Sequence, residues 1–185
     1  CRKGAKPVNF GISYGITEFK LAEDLSEVFG RPVSHAEAKV YLDTYFELYP
    51  GVADYMYDVV EEGKEFGYVQ TVCGRRRRLS KLNSKNWREY NHAKNQASNA
   101  PIQGSAADIV KRAMIMVDND AELESLGYTL RLQVHDELVG NAPDENAEEC
   151  SLIVKDFMEN VFFFHPMSVP LPVDPAIVKR YGDAK

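Results

Sequence analysis

The sequence has 185 residues, of which 44% are hydrophobic and 27% charged, a balance that is typical of globular chains and excludes a disordered one. It contains no apolar run of about 18 residues, so we expect no membrane span and no membrane partner. The formal net charge of −6 argues against a uniformly basic nucleic-acid binder. Residues 64–94 nevertheless hold nine basic residues against two acidic ones, which could neutralise phosphates or could simply be a solvated charge run.

The cysteines indicate a reducing compartment. Cys1, Cys73 and Cys150 are odd in number and widely spaced, which fits reduced thiols and gives no zinc motif. The N-terminus is basic with no apolar core behind it, so no signal peptide is expected. We therefore predict a protein that is cytoplasmic or nucleoid-associated, or in the cytoplasm of a virus-infected host, and that is not secreted.

The first half of the chain predicts helices separated by glycine, proline and capping residues. The predicted helices are 1–14, 17–28, 34–48 and 50–62, with boundaries set by Gly15, Thr17, Gly30, the Ser34–Glu37 capping box and Pro50-Gly51. Segment 67–79, GYVQTVCGRRRRL, has β-forming residues on both sides of Cys73-Gly74 and predicts a hairpin.

The second half predicts both helices and strands. A polar helix over 84–99 is expected to stop at Pro101, and another helix to run from there to about Leu123. Two strands near 128–134 and 136–140 follow, then an amphipathic helix over 145–161 and an edge-like strand over 169–173, since prolines are tolerated at sheet edges. The predicted fold class is α+β, mostly helical at first, with a small antiparallel sheet later.

Residues 131–138, RLQVHDEL, place one imidazole and two carboxylates inside an apolar run: His135, Asp136 and Glu137. One explanation is a strand with a single solvated face, because polar and apolar residues alternate here. The other is function, because clustered carboxylates are costly to bury and often functional. The triplet alone leaves both explanations open.

Arg2, Lys6, Phe10 and Tyr14 recur every four residues, and each such step drifts only about 40° around a helix. The resulting stripe shows two cations and then two aromatic rings. Cations at this spacing can bind a polyphosphate, and a ring one turn further can stack on a sugar or base. The alternative is an amphipathic helix with both rings in the core and snorkelling basic residues, and the pattern alone favours this alternative.

Five motifs, in order along nearly the whole chain, resemble those of family A (polymerase I-like) DNA polymerases, and the sequence is identified as a member of that family. Arg2-x3-Lys6-x3-Phe10-x3-Tyr14-Gly15 resembles motif B, and Gly74-Arg75-Arg76-Arg77 resembles the GRRR turn. Asn99-x-Pro101-Ile102-Gln103-Gly104-Ser105-Ala106-Ala107-Asp108 resembles the N-x-P-I-Q-G-[ST]-A-A-D helix start. Gln133-Val134-His135-Asp136-Glu137-Leu138 resembles motif C, and Val169-Pro170-Leu171-Pro172-Val173-Asp174 resembles the terminal VPL-x-V strand.

The resemblance implies that the motif B helix lies in the fingers, over the incoming dNTP. Arg2 and Lys6 would hold the triphosphate, and Lys6 would also act as a general acid toward the leaving pyrophosphate. Phe10 would pack on the sugar, in the form associated with discrimination against dideoxynucleotides. Tyr14 would stand in for a base beside the template until the fingers close, and Gly15 would let the backbone turn.

The resemblance also implies contacts with primer–template DNA. Asn99 and Gln103 match residues near the minor groove, where hydrogen-bond acceptors occupy similar positions in every base pair. His135 would lie near the primer terminus. Arg75 and Arg76 of the GRRR turn are expected to be further DNA contacts, together with Tyr14 and Gly15.

Catalysis is expected to rest on Asp136 and Glu137, with Lys6. Asp136 would be a ligand of Mg²⁺, with Glu137 in support, in a site for two Mg²⁺ ions that activate the primer 3′-hydroxyl and neutralise the phosphate under attack. The implied activity is that of a DNA-directed DNA polymerase in replication or repair, which transfers nucleotidyl groups from dNTPs to a primer.

We assign residues 1–83 to a fingers portion and 84–185 to a palm portion. No segment resembles the family's motif A, D-Y-S-Q-I-E-L-R-like, and the thumb and exonuclease regions are absent as well. Because one carboxylate site cannot place both metals, we predict that the chain alone is inactive and works with an N-terminal portion that carries motif A.

Pro7 would kink the motif B helix or delay its start to near Lys6. Asn95 replaces an arginine common in the family, and no role is assigned to it.

Three further hypotheses accompany this identification. An intein leaves Cys, Ser or Thr as the first residue downstream, so Cys1 suggests a polymerase interrupted at motif B and encoded in two pieces, with a cloning boundary as the alternative. An HD-type metal phosphohydrolase would need further histidines at helical spacing, and those present are isolated. The alternative function is a non-catalytic DNA-binding accessory subunit; the missing motif A supports it, whereas Lys6, Asp136 and Glu137 oppose it.

Overall fold

The computed structural model describes residues 8, 9, 11, 12, 14–162 and 167–183. Backbone contacts divide the chain into two compact units, Cys1–Gly104 and Ser105–Lys185. The assignment of fingers and palm, with its boundary after residue 83, rests on the resemblance and stays a prediction. No helix in the described ranges combines the length and apolarity that crossing a membrane requires.

The helices, in chain order, are Glu18–Phe29 (α1), His35–Leu48 (α2), Pro50–Phe66 (α3), Trp87–Asp118 (α4), Ala121–Ser125 (α5) and Ala147–Glu159 (α6). The strands are Tyr68–Gln70 (β1), Arg76–Arg78 (β2), Thr129–Val134 (β3) and Glu137–Asn141 (β4). Short 3₁₀ turns cover Ser80–Asn83, Asp144–Asn146 and Tyr181–Asp183. The predicted α+β class is confirmed, with one antiparallel hairpin in each unit.

The predicted helix starts in the first unit are confirmed by their caps. The Thr17 hydroxyl accepts a hydrogen bond from the Lys20 backbone N–H at 3.4 Å, which satisfies a free donor at the start of α1. The Ser34 hydroxyl does the same for the Glu37 N–H at 3.1 Å, at the start of α2. Gly30 ends α1 in the left-handed conformation, at φ 65°.

The first unit has two buried apolar clusters. One lies between α1 and α2 and contains Leu21, Ala22, Leu25, Val33 and Ala38. The other joins α3, the β1–β2 hairpin and the first half of α4, and contains Val59, Val60, Val69, Leu79, Leu82, Ala93 and Ala97. The second cluster fixes the GRRR hairpin against the helices that flank it.

The predicted helix boundary at Pro101 is wrong, because α4 runs through it without a break. Proline removes one backbone donor and crowds the carbonyls of the preceding turn. The Tyr55 hydroxyl donates to the Ser98 carbonyl in that turn at 2.9 Å, so a tertiary hydrogen bond ties the turn before Pro101 to α3. The helix ends at Asp118, and α5 then begins at its own cap, Asp120.

The second unit is built around the β3–β4 hairpin and α6. Its buried cluster contains Val117, Leu123, Cys150 and Val154. The strand predicted over 169–173 is wrong, because no strand is formed there. Prolines at alternate positions, 170 and 172, remove the backbone donors of one edge. The Val173 N–H that remains donates instead to the Glu159 carboxylate of α6 at 2.8 Å.

Candidate active site

Three residues of the predicted dNTP site, Arg2, Lys6 and Phe10, lie outside the described residues, as does Pro7. Residues 8, 9, 11 and 12, which belong to the same predicted helix, are helical. The roles of Arg2, Lys6 and Phe10 therefore stay predictions.

Tyr14 and Gly15 lie in a tight turn at the end of that segment. The Tyr14 N–H donates to the Gly11 carbonyl at 3.0 Å, and the Gly15 N–H donates to the Ile12 carbonyl at 2.9 Å. Gly15 has φ +68°, a conformation that glycine adopts without steric cost. The Tyr14 residue is 55% exposed, so its ring lies at the surface of the first unit.

One face of α4 meets this turn. Asn95, Asn99 and Gln103 are four residues apart and therefore lie on one side of the helix. The Gln103 side-chain amide donates to the Tyr14 hydroxyl at 2.6 Å. A Cβ at Gly15 would overlap the Asn95 side chain, and the Asn99 amide donates to the Asn95 carbonyl at 3.1 Å.

The structure thus brings four predicted site residues together and adds one that the sequence interpretation left without a role. That residue is Asn95, which contacts Gly15. The sequence shows only that Asn95 lies four residues before Asn99 and therefore on the same face of the helix. This spacing does not show which part of the chain that face contacts.

The GRRR hairpin packs on α4 directly after Gln103. The Arg75 guanidinium donates to the Gly104 carbonyl at 3.0 Å, and the Arg75 N–H donates to the Thr71 hydroxyl at 3.1 Å. The Arg76 guanidinium lies over the Tyr68 ring, 4.4 Å from its centroid. Both arginines that we expected to bind DNA therefore have contacts within the first unit that hold the hairpin in place.

The His135–Asp136–Glu137 triplet forms the tip of the β3–β4 hairpin. Val134 pairs with Glu137, which leaves His135 and Asp136 as a two-residue turn. His135 has φ 53°, and a positive φ at the first turn position is typical of type II′ hairpins, where glycine is usual. The Gln133 side-chain amide closes the turn by donating to the His135 carbonyl.

The two carboxylates of the triplet are accessible. Asp136 and Glu137 are both exposed, and carboxylate oxygens are hard donors of the kind that Mg²⁺ prefers. Within the described parts of the chain, no group of three or more His, Cys, Asp or Glu side chains is arranged to hold a metal ion. The hairpin tip therefore supplies two donors, and a metal site built on it needs further ligands.

The base of the hairpin is anchored in the apolar cluster of the second unit. The Tyr128 ring packs so closely on Gly140 that a Cβ at residue 140 would overlap it. Burial raises the pKa of the Tyr128 hydroxyl, and the neighbouring Cys150 thiol adds to the effect. Burial also raises the pKa of Cys150, with a smaller contribution from the charge of Glu149. Both groups are therefore held in their neutral forms in the apolar cluster at the base of the hairpin.

Comparison with known proteins covers the whole chain. The family described as DNA polymerase family A matches residues 1–183. The chain is 41% identical to DNA polymerase I of Lactococcus lactis (strain IL1403), 44% identical to that of Streptococcus pneumoniae serotype 4 and 43% identical to that of Bacillus caldotenax. Each of these alignments covers 100% of this chain and 20% of the relative, so the chain spans about a fifth of the length of the curated relatives it matches.

A solved structure agrees with these matches. It is the POL domain of Pol1 from M. smegmatis in complex with DNA primer-template and dNTP, with a TM-score of 0.82 and 40% sequence identity. The similarity covers 92% of this chain and 28% of that one. The five sequence motifs, the match along residues 1–183 and the shared architecture lead to one conclusion: the chain belongs to DNA polymerase family A.

Proposed function

We propose that the chain is the C-terminal part of the catalytic domain of a template-directed DNA polymerase, serving replication or repair. It would transfer nucleotidyl groups from dNTPs to the 3′-hydroxyl of a primer. The observation that carries this proposal is the family match along residues 1–183, which includes both the Tyr14 turn and the His135–Glu137 hairpin. The M. smegmatis relative, which was solved with primer-template DNA and dNTP, supports the same partners for this chain.

We further propose that residues 1–83 belong to the fingers and residues 84–185 to the palm. In this assignment the hydrogen bond between Gln103 and Tyr14 joins the two portions inside the first compact unit. A glutamine amide carries two N–H donors. Gln103 can therefore hold the Tyr14 hydroxyl with one donor and offer the other to a base edge in the minor groove, beside Asn99.

The dNTP site in this proposal consists of Arg2, Lys6, Phe10 and Tyr14. The two basic side chains would bind the triphosphate, with Lys6 protonating the leaving pyrophosphate, and Phe10 would contact the sugar. The exposure of Tyr14 supports its part, because a ring at the surface can occupy the place of a templating base and leave it.

Asp136 and Glu137 are the residues that would hold Mg²⁺, and their exposed hard oxygen donors fit that ion. Two bound ions would supply activation of the primer hydroxyl and charge neutralisation at the phosphate. The hairpin tip carries both carboxylates, Asp136 in the turn and Glu137 at the start of β4, and His135 in the same turn would lie near the primer terminus. The second aspartate, from motif A, is not among these 185 residues, so we propose that they synthesise DNA only together with a portion that carries it.

Primer extension tests the proposal. The chain would be assayed with Mg²⁺, four dNTPs and a primed DNA template, alone and after mixing with a separately made portion that carries motif A. We expect extension only in the mixture. Asp136→Asn should abolish extension and leave primer–template binding unchanged, whereas Asp118→Asn, the same change at another exposed position of the second unit, should affect neither.

Each other outcome has a definite meaning. Extension by the chain alone would contradict the need for motif A. Extension by the assembled Asp136→Asn protein would contradict the catalytic role of this carboxylate. A mixture that binds primer–template without extending it would favour the alternative function, a non-catalytic DNA-binding accessory subunit.

A further inference from the structure

Gln103 lies in the part of α4 that is least able to support itself. Pro101, two residues earlier in the helix, removes one internal hydrogen bond. Gly104, the next residue, has the lowest helix propensity of any residue after proline. The position of the Gln103 side chain therefore depends on contacts that α4 receives from other parts of the first unit.

One such contact comes from the β1–β2 hairpin. The Arg75 guanidinium donates to the Gly104 carbonyl at 3.0 Å. A carbonyl oxygen has two lone pairs, so Gly104 can accept this hydrogen bond and still belong to the helix. Because the donor is charged, the hydrogen bond is stronger than one between neutral groups. Arg75 thus fixes the helical turn that carries Gln103.

The backbone of Arg75 is fixed in turn by Thr71. The Arg75 N–H donates to the Thr71 hydroxyl at 3.1 Å, and the Arg75 carbonyl accepts the Thr71 N–H at 2.9 Å. Thr71 is buried, and its methyl group lies where a Cβ at Gly104 would approach it to 2.5 Å. This close approach gives a reason for a glycine inside a helix, because only a residue without a side chain lets the hairpin reach the backbone of α4.

We propose that Arg75 is a positioning residue for Gln103 rather than a ligand of DNA. Gln103 is then held from two sides: its amide donates to the Tyr14 hydroxyl at 2.6 Å, and Arg75 holds the turn that carries it. Hydrogen bonds weaken steeply as they depart from linearity, so a small shift of this turn would cost Gln103 its contact with a base edge. The inference rests on the proposed function, in which that edge lies in the minor groove of the primer–template.

The replacement of one base atom tests the inference. 3-Deazaguanine lacks the minor-groove N3 acceptor, and it would replace the guanine of the terminal base pair, first in the primer and then in the template. The dissociation constant of this primer–template would be measured with the assembled enzyme. For wild type we expect the replacement to raise the dissociation constant by about fivefold, the effect of one hydrogen bond. Gln103→Ala and Arg75→Ala should each reduce this effect to less than about twofold, and the double variant should behave like Gln103→Ala.

The salt dependence of binding separates positioning from direct contact. Removing an arginine that contacts a phosphate lowers the slope of log K against log salt concentration by about 1, whereas Arg75→Ala should leave the slope unchanged. Thr71→Val removes the hydroxyl that accepts the Arg75 N–H without changing any charge, and it should also weaken the 3-deazaguanine effect. Arg31→Ala removes an exposed arginine between α1 and α2, and as the matched control it should alter neither measurement.

A full 3-deazaguanine effect in Arg75→Ala, or a salt slope lowered by about 1, would overturn the inference. Circular dichroism would establish that Arg75→Ala is folded, and if it is not, Thr71→Val decides by its response to 3-deazaguanine. If wild type extends the primer but does not respond to 3-deazaguanine, Arg75 has no groove contact to position, and the inference fails while the polymerase function stands. Failure of the assembled wild type to bind and extend any primer would count against both.

Discussion

Replacing Gly104 by alanine tests how closely the GRRR hairpin approaches α4. A Cβ at residue 104 would lie 2.5 Å from the Thr71 Cγ2 and 3.2 Å from an Arg75 Nη2. The Arg75 guanidinium is the end of a long side chain and can shift. Thr71 cannot easily move, because it is only 8% exposed and its hydroxyl accepts the Arg75 N–H. The Thr71 methyl group is therefore the obstacle.

Two effects of Gly104→Ala oppose each other. Alanine in place of glycine inside a helix stabilises the fold by about 1 kcal/mol. An extra methyl group forced into occupied space costs about 1–3 kcal/mol. In the wild-type background we therefore expect the free energy of unfolding to fall, by up to about 2 kcal/mol after the two effects are combined. Thr71→Ser removes the Cγ2 methyl and keeps the hydroxyl. In that background Gly104→Ala should instead stabilise the fold by about 1 kcal/mol.

Urea unfolding followed by circular dichroism would compare wild type, both single variants and the double variant. The expected result is a change of sign in the effect of Gly104→Ala between the two backgrounds. Gly51→Ala in α3 is the matched control, because nothing lies within 4 Å of a Cβ added there. An effect of Gly104→Ala that is the same in both backgrounds would refute the close approach of Thr71 to α4.

Local chemistry explains what the sequence predicted well. Thr17 and Ser34 cap their helices through hydrogen bonds to residues three positions further on, so the whole interaction lies within one short segment. Gly74 has φ +76° at the turn of the GRRR hairpin, where a glycine was expected. The two-residue turn at His135 and Asp136 likewise depends only on the strands on either side of it.

The predictions that were wrong concern segments whose structure is determined by residues far away in the sequence. Pro101 did not end α4, and the Tyr55 hydroxyl that ties the turn before it to α3 is 43 positions away in the chain. Residues 169–173 were expected to pair as a strand, but pairing depends on a partner edge that no local pattern specifies. Glu159 takes up the Val173 N–H instead.

In the candidate site, too, local features could be predicted from the sequence and contacts between distant residues could not. Asp136 and Glu137 could be identified from one short stretch, and their exposure follows from the hairpin that carries them. The contact between Gln103 and Tyr14 could not be predicted, because it joins residues 89 positions apart. Asn95 illustrates the limit most clearly: helical spacing placed it on the same face as Asn99, but only the fold shows that this face meets the turn at Gly15.

Three further changes test the geometry of the site. Gly15→Ala should lower the free energy of unfolding by about 2 kcal/mol or more, because alanine is strained in the left-handed conformation and its Cβ overlaps Asn95. Adding Asn95→Ala should remove the overlap but not the strain, so the double variant should lose only about 1–2 kcal/mol. His135→Gly should raise the free energy of unfolding by up to about 1 kcal/mol while reducing primer extension by the assembled enzyme; a less stable variant would show that the turn is not strained. Stability should also fall at alkaline pH. Burial raises the pKa values of Cys150 and Tyr128, so the unfolded chain loses these protons first. The stabilising contribution of these neutral groups is fully present below the pKa of a thiol in the unfolded chain, about 8.5. It is lost as the pH rises through the raised pKa values of the folded state. Urea unfolding from neutral to alkaline pH measures this, and an unchanged midpoint would contradict the burial of both groups in their neutral forms.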